Sequence, residues 1–168
     1  LARADRPVER VLDLAGGSGR AARAVGAPGT GWRAPDAVVV DASAPMLRRA
    51  AGRGTAAVRG DAGRLPLRES SVDAVVVLDA LHHLPDPAAA LVEATRVLRP
   101  GGVLVIREFD PDTLRGRALV AAERLVGFDS TFRGPDATAR AVADAGLRPA
   151  VLDRGFAFTV VGTKRGSH

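Results

Sequence analysis

Residues 11–20 read VLDLAGGSGR, an apolar strand that runs into a loop of small residues and then into a helix. Val11, Leu12 and Leu14 have the composition of a short buried strand. Gly16, Gly17, Ser18 and Gly19 let the backbone turn sharply and approach a ligand with no Cβ in the way. The helix that follows, SGRAARAV, opens with free amides aimed at the loop, which favour a negative group such as a carboxylate or phosphate.

Two ligand classes use such a loop. Gly17, Gly19 and Ala22 fit the dinucleotide pattern G-x-G-x-x-G/A, and Asp41 ends the next strand at close to the usual distance of roughly 20 residues. Asp13 separates the classes, because an acid inside the turn repels a pyrophosphate and suits a ligand carrying an ammonium group. An amino-acid-containing nucleoside is therefore favoured over a nicotinamide dinucleotide.

Outward from this stretch the chain alternates strands and helices. A lead-in, ADRPVER, precedes a strand at residues 9–14 and a helix at 18–25; a Gly/Pro-rich connection follows, holding Trp32 as a surface residue. DAVVVD is the second strand, delivering Asp41, and Ser43 with Pro45 is read as the cap and first turn of the helix APMLRRAAG. TAAVRG is the third strand, ending at Asp61; VDAVVVL, apolar on both faces, is the fourth and reads as the middle of a parallel sheet. DALHHLPDP, the helix AAALVEATRVL, a stop at RPGG and the strand VLVIRE come next. Helices at 113–126 and 135–145 lead to two final strands joined at Arg154 and Gly155, the last one antiparallel. The pattern is an α/β, Rossmann-like doubly wound and mostly parallel sheet that ends in an antiparallel hairpin strand, with a short N-terminal region. It forms one domain over residues 1–165, with 166–168 as a tail.

The series Asp13, Gly17 and Gly19 after a strand, then Asp41, then Asp61, resembles the class I S-adenosylmethionine-dependent methyltransferases, from Val8 to Lys164. The resemblance implies that Gly17 and Gly19 hold the methionine part of the cofactor. It implies that Asp41 binds the ribose hydroxyls, and that Asp61 with Ala62 meets the adenine. The implied cofactor site comprises Asp13, Ala15, Gly17, Gly19, Asp41, Ala42, Met46, Asp61, Ala62 and Asp79. Met46 is expected beneath the adenine or in the core, with the core preferred. LAGGSG, and REFDP after the fifth strand, look like the C-methyltransferases of menaquinone and ubiquinone biosynthesis, and imply a phenolic or quinol-like acceptor. LDALHHL departs from those enzymes, and the stretch between the fifth and sixth strands is short for an isoprenoid tail. Members of the family usually carry helices before the first strand; here fewer than ten residues precede it, so the site is open, closed by a partner, or exposed by a truncated start.

In an open α/β sheet the ligand lies outside the carboxyl ends of the strands, at the switch between strands one and four. A phenolic acceptor also needs a base there. His82 is the first candidate, then His83 and Glu108, against the alternative that HHL serves only loop structure. Adjacent histidines diverge in direction and no third ligand has suitable spacing, so no metal is expected. Phe109, Phe128 and Phe132 are the expected apolar walls.

Composition narrows the rest. The 168 residues suffice to bury ~70% of the unfolded chain's surface in one core. No apolar run approaches the ~20 residues that span a bilayer and no signal-peptide pattern opens the chain, so a cytoplasmic protein is expected. With no cysteine, disulfides, thiolate metal sites and a cysteine nucleophile are excluded. A net charge of +5 raises nucleic acid as a partner. The basic residues are almost all arginines scattered over every helix, and only 4% of the chain is aromatic, so nucleic acid is disfavoured. A small-molecule acceptor is the expected partner, with a peripheral membrane contact and a homo-oligomer left open. RNA methylation and a non-catalytic cofactor-binding module that needs a partner are the alternatives to small-molecule methyl transfer.

Overall fold

The computed structural model describes residues 1–25, 35–125 and 131–166; Trp32 and Phe128 lie outside them. Seven strands form one sheet in the order β3-β2-β1-β4-β5-β7-β6. The strands are β1 (Arg10–Leu14), β2 (Asp36–Asp41), β3 (Ala56–Arg59), β4 (Val72–Leu78), β5 (Leu98–Phe109), β6 (Arg148–Asp153) and β7 (Ala157–Thr163). The helices are α1 (Arg20–Val25), α2 (Ala44–Ala51), α3 (Pro87–Val97), α4 (Leu114–Leu125) and α5 (Pro135–Asp144). The first five strands pair in parallel, and β7 runs antiparallel to both β5 and β6. This is the doubly wound sheet with a closing hairpin that the alternation of elements implies, and the order of strands reverses between β1 and β4.

Burial on both faces accounts for the unbroken apolar runs. Leu12, Val75, Leu104, Ile106 and Phe158 are fully buried in one core that β1, β4, β5 and β7 share with α3 and α5. Asp73 is the exception inside β4. Its Oδ2 accepts the amides of Glu9 (3.0 Å) and Arg10 (2.9 Å), and its Oδ1 pairs with Arg6 (2.9 Å) and Arg99 (3.0 Å). Burial alone would raise this carboxyl, but the two amides, Arg99 and Arg6 together pull it below its ordinary value. The lead-in is thus tied to the sheet rather than hanging from it.

Three local readings are corrected. RPGG does not separate α3 from the next strand, because β5 starts at Leu98, directly after α3. Leu98 pairs with Val72 and Val103 with Ala74, so the extra residues bulge out of the ladder where Gly101 takes φ 77°. The carbonyls at the end of α3 are satisfied instead by Lys164 Nζ, which donates to Thr95 O (2.8 Å) and Leu98 O (2.6 Å). The Ser43 hydroxyl does not cap α2; the Ser43 amide instead donates to Asp41 Oδ1 at 2.7 Å, so the acid orders this turn. Helix α1 begins at Arg20, two residues later than expected, since the Gly19 amide closes a turn onto Gly16 O (2.8 Å). Among the described residues no helix is long and apolar enough to cross a membrane.

Candidate active site

A cavity of about 1060 Å³ opens at the carboxyl ends of β1 to β4, on the side where the strand order reverses. Ala15 and Gly17 reach it from β1, Asp41 and Ala42 from β2, Met46 from α2, Asp61 and Ala62 from beyond β3, and Asp79 and His83 from beyond β4. Eight of the ten residues expected at the cofactor therefore share one wall system. Such a volume accommodates a nucleoside-sized ligand with room beside it for an acceptor.

The glycine loop is built from beneath. Asp13 is fully buried and does not line the cavity; its Oδ2 accepts the Ala22 amide at 2.9 Å, which ties β1 to α1. A Cβ on Gly16 would stand 2.3 Å from Asp13 Cγ, so the bare backbone there is required by the carboxylate below it. Burial pushes the Asp13 carboxyl up, outweighing the Ala22 amide and the nearby arginines. Its Oδ1 is buried without a hydrogen-bond partner among the described residues. Gly19 also stays out of the cavity. At φ +76° it packs so that a Cβ would meet Val39 at 3.2 Å and Ala50 at 3.4 Å. Gly17 is the glycine of this loop that lines the cavity: it takes φ +54°, and a Cβ there would meet only Asp41 Oδ2, at 4.0 Å.

Asp41 links the loop to the second strand. Its Oδ2 accepts the Gly17 amide at 2.8 Å while its Oδ1 accepts that of Ser43. Each carboxylate oxygen has a second lone pair, so the group can still accept a vicinal diol. Asp61 Oδ1 accepts the Gly63 amide (2.9 Å), turning the chain after β3 along the cavity. Met46 is 39% exposed at the cavity and not in the core, with Arg49 against its sulfur. Arg59, Gly60, Gly63 and Leu84 line the same space, although nothing in their sequence context marks them. Arg59 is held there by its own hydrogen bond from Nε to Ala42 O, at 3.1 Å.

Backbone strain sits at the same place. Ala15 (φ 52°) and Asp79 (φ 50°) are two of the three non-glycine residues with positive φ among the described residues, and both end strands at the cavity. Each costs on the order of 1 kcal/mol, and strain of this kind clusters at binding and catalytic sites. Asp79 Oδ2 also accepts from Arg20 Nη2 at 2.6 Å, which links β4 to α1 at the site.

The two histidines part company. A 3₁₀ turn over Leu81–His83 sends successive side chains in different directions. His82 goes inward and is buried, whereas His83 is exposed and lines the cavity. Glu108 is buried too. Its Oε1 accepts the amides of Ala80 (2.9 Å) and Leu81 (2.7 Å), and its Oε2 binds His82 Nδ1. The imidazole of His82 stacks on Phe132 at 4.3 Å. Of the three candidate bases, then, two form a buried brace for the turn and only His83 reaches the cavity. Burial first, then the neighbouring His82, lowers the His83 imidazole from its ordinary value, against the pull of Glu123 and Glu108.

Two further readings change. Neither Phe109 nor Phe132 walls the cavity: Phe109 lies 4.9 Å from Phe156, and the apolar lining is made of alanines and aliphatic side chains such as Val40, Leu84, Pro85 and Met46. Glu123, a residue the sequence does not single out, is brought by α4 to 3.8 Å from His82 Nε2. Ligand atoms of His82, His83 and Glu123 all fall within 4.8 Å of one another. The 3.8 Å gap is wider than the ~3.3 Å that two ligands keep on a tetrahedral zinc with bonds of ~2.0 Å. No metal role is assigned to these three.

Residues 12–106 match the family model described as a methyltransferase domain. Over 120 residues the chain is 40% identical to a protein named demethylmenaquinone methyltransferase from Mycobacterium sp. (strain KMS), covering 71% of this chain and 50% of that one. The chain thus spans about half the length of the curated relatives it matches. Among solved structures, a SAM-dependent methyltransferase from Thermotoga maritima superposes with a TM-score of 0.80 at 23% identity, covering 96% of this chain and 84% of that one. A structure of the Haloferax volcanii complex between the Trm112 methyltransferase activator and a methyltransferase gives 0.82 at 23% identity, covering 99% and 87%. At these identities the likeness establishes the fold.

Proposed function

This chain belongs to the methyltransferase domain family, and on that premise we propose that it transfers a methyl group from S-adenosylmethionine to a small quinol-like or phenolic acceptor. The observation that carries the reading is the Asp41 carboxylate. It joins the Gly17 amide to the turn after β2 and presents its remaining lone pairs to a cavity that a second acid, Asp61, lines from the end of the neighbouring strand. The residues fit the cofactor. A bare glycine backbone suits close approach by the methionine part, Asp41 suits the ribose diol, and Asp61 with Ala62 suits the adenine amino group. The acceptor class is taken from the relatives named demethylmenaquinone methyltransferase. Residues 1–165 act as one cofactor-binding domain in this reading.

When bound, S-adenosylmethionine supplies a methyl group activated by its positive sulfur. The chain's own contribution is largely positioning, which can lower a barrier by on the order of 7–11 kcal/mol. Asp41 and Asp61 fix the nucleoside, and Ala15 and Gly17 hold the loop against the methionine part. Asp79, held at positive φ, lines the same cavity from beyond β4. A phenolic acceptor gives up its proton as the new bond forms, and His83 receives it. Its lowered basicity keeps the imidazole neutral and able to accept near pH 7. Glu108 and His82 act as positioning residues, since they hold the turn that carries His83.

The test is methyl transfer from labelled S-adenosylmethionine to a short-chain demethylated naphthoquinol, by the wild type and by His83→Ala. Turnover by the wild type is expected, with kcat falling about 10²-fold or more in the variant and S-adenosylhomocysteine affinity unchanged. Binding of the cofactor product without turnover on any quinol or phenol would remove the acceptor from this reading.

A further inference from the structure

Helix α4 carries an apolar stripe that nothing in the described structure covers. Leu114, Ala118, Ala121 and Leu125 follow the i, i+4, i+7, i+11 spacing that keeps side chains on one helix face. All four are exposed, with Leu114 and Leu125 each 87% accessible. The stripe is ~16 Å long at 1.5 Å per residue. Arg115 flanks it on one side and Arg117 on the other, both exposed. The opposite face is the one that meets the protein: Gly116 is buried, Leu119, Val120 and Glu123 are half-buried, and Glu123 lies against His82. Glu123 is the single acid of this helix, so the outward face is apolar with a cationic rim. Asp110 and Asp112 lie before the helix, in a turn where Asp110 Oδ1 accepts the Asp112 amide at 3.0 Å.

We propose that the outward face of α4 docks on an anionic membrane surface, with Leu114 and Leu125 in the headgroup boundary and Arg115 and Arg117 on lipid phosphates. Arginine stems extend along apolar surface while their guanidinium groups stay in the polar layer, the placement that flanking positions allow. The rim matches the sign of anionic lipid, and the net charge of +5 adds long-range attraction. A stripe this narrow suits a lipid boundary better than a second copy of the chain, which needs about 800 Å² on each partner. Docking would leave one helix diameter, ~10–12 Å, and a gap of up to 4.8 Å from Glu123 to His83 between the bilayer and that cavity-lining side chain. An acceptor with a long apolar tail could then leave that tail in lipid and present only its ring.

The experiment is cosedimentation of the full chain with vesicles of mixed phosphatidylglycerol and phosphatidylcholine, and with vesicles of phosphatidylcholine alone. The wild type is expected to bind the mixed vesicles in a salt-sensitive way. Arg115→Gln and Arg117→Gln should each weaken binding about fivefold. Leu114→Gln with Leu125→Gln should weaken it about tenfold or more with no change of charge. Circular dichroism and S-adenosylhomocysteine binding should stay as in the wild type. Retained binding by the leucine pair would assign the attraction to overall charge and overturn the proposal, as would no binding by the wild type. A dimer in light scattering that the leucine pair dissociates would assign the face to a second copy. The measurement contains no methyl acceptor, so its outcome stands apart from the reaction proposed above.

Discussion

Replacing Asp41 by alanine separates the role of this side chain in the fold from its role toward a ligand. In the structure its two oxygens serve two amides, Gly17 at 2.8 Å and Ser43 at 2.7 Å. Both amides are only part-buried, so water replaces the lost acceptor and the stability cost is about 1 kcal/mol. For a chain of this size that corresponds to a fall in Tm of about 2–4 °C. Toward the cofactor the loss is larger. Hydrogen bonds to a charged group contribute ~1.5–3 kcal/mol each, and two ribose hydroxyls make a loss of about 3 kcal/mol a conservative sum. At ~1.4 kcal/mol per decade, S-adenosylhomocysteine affinity should drop about 150-fold. Asp41→Asn is the informative companion. Asparagine has one oxygen and one donor group, so it can satisfy Gly17 or Ser43 but turns an N–H toward the other amide. An intermediate loss, of about tenfold or more, is expected. Isothermal titration calorimetry with S-adenosylhomocysteine, with NADH as a control ligand and thermal unfolding alongside, measures each part. Affinity within threefold of the wild type in folded Asp41→Ala would refute the assignment of the diol to this carboxylate.

Two other perturbations follow from the geometry. Gly16→Ala drives a methyl group into the buried Asp13 carboxylate, 2.3 Å from its Cγ, and should cost about 2–3 kcal/mol of stability; Gly17→Ala has open space, should cost about 1 kcal/mol through its positive φ, and should instead lose cofactor affinity. Paired melting and titration curves that fail to separate these two glycines would contradict the loop described above. Asp73 is held below its ordinary value in the folded protein, so its contribution to stability is present above about pH 3.8 and is lost as pH falls through the lowered folded value. Asp73→Asn should therefore be destabilised by about 3 kcal/mol at pH 7, and the gap to the wild type should begin to narrow in melts taken from about pH 4 downward and go on narrowing below about pH 3; a gap independent of pH would rule out the ionised carboxylate as its source.

The order of elements was legible in the sequence because parallel strands buried on both faces must be apolar runs, and turns between them need small or cap-forming residues. Val38 to Val40 and Val75 to Val77 announce their strands that way, and the acids that close the strands, Asp41 and Asp61, stand at the cavity as their positions imply. Local spacing also puts Gly17 in the turn that lines the cavity, since a strand followed by a bare turn admits few geometries. What spacing could not separate is a residue that lines the cavity from one that supports its wall. Asp13 and Gly19 belong to the same motif as Gly17, yet packing against α1 in one case and against Val39 and Ala50 in the other keeps both out of the cavity. The same holds for His82 and His83, identical in type and adjacent in chain. Their division into brace and cavity wall depends on Glu108 of β5, a partner supplied by the neighbouring strand. Glu123 against His82 and the ion pairs around Asp73 are likewise joined across distant parts of the chain. The sequence by itself determined the path of the backbone, through periodicity and turn chemistry that act over a few residues. Only the tertiary structure decided which side chains share a space, because that depends on contacts between elements that no local pattern encodes.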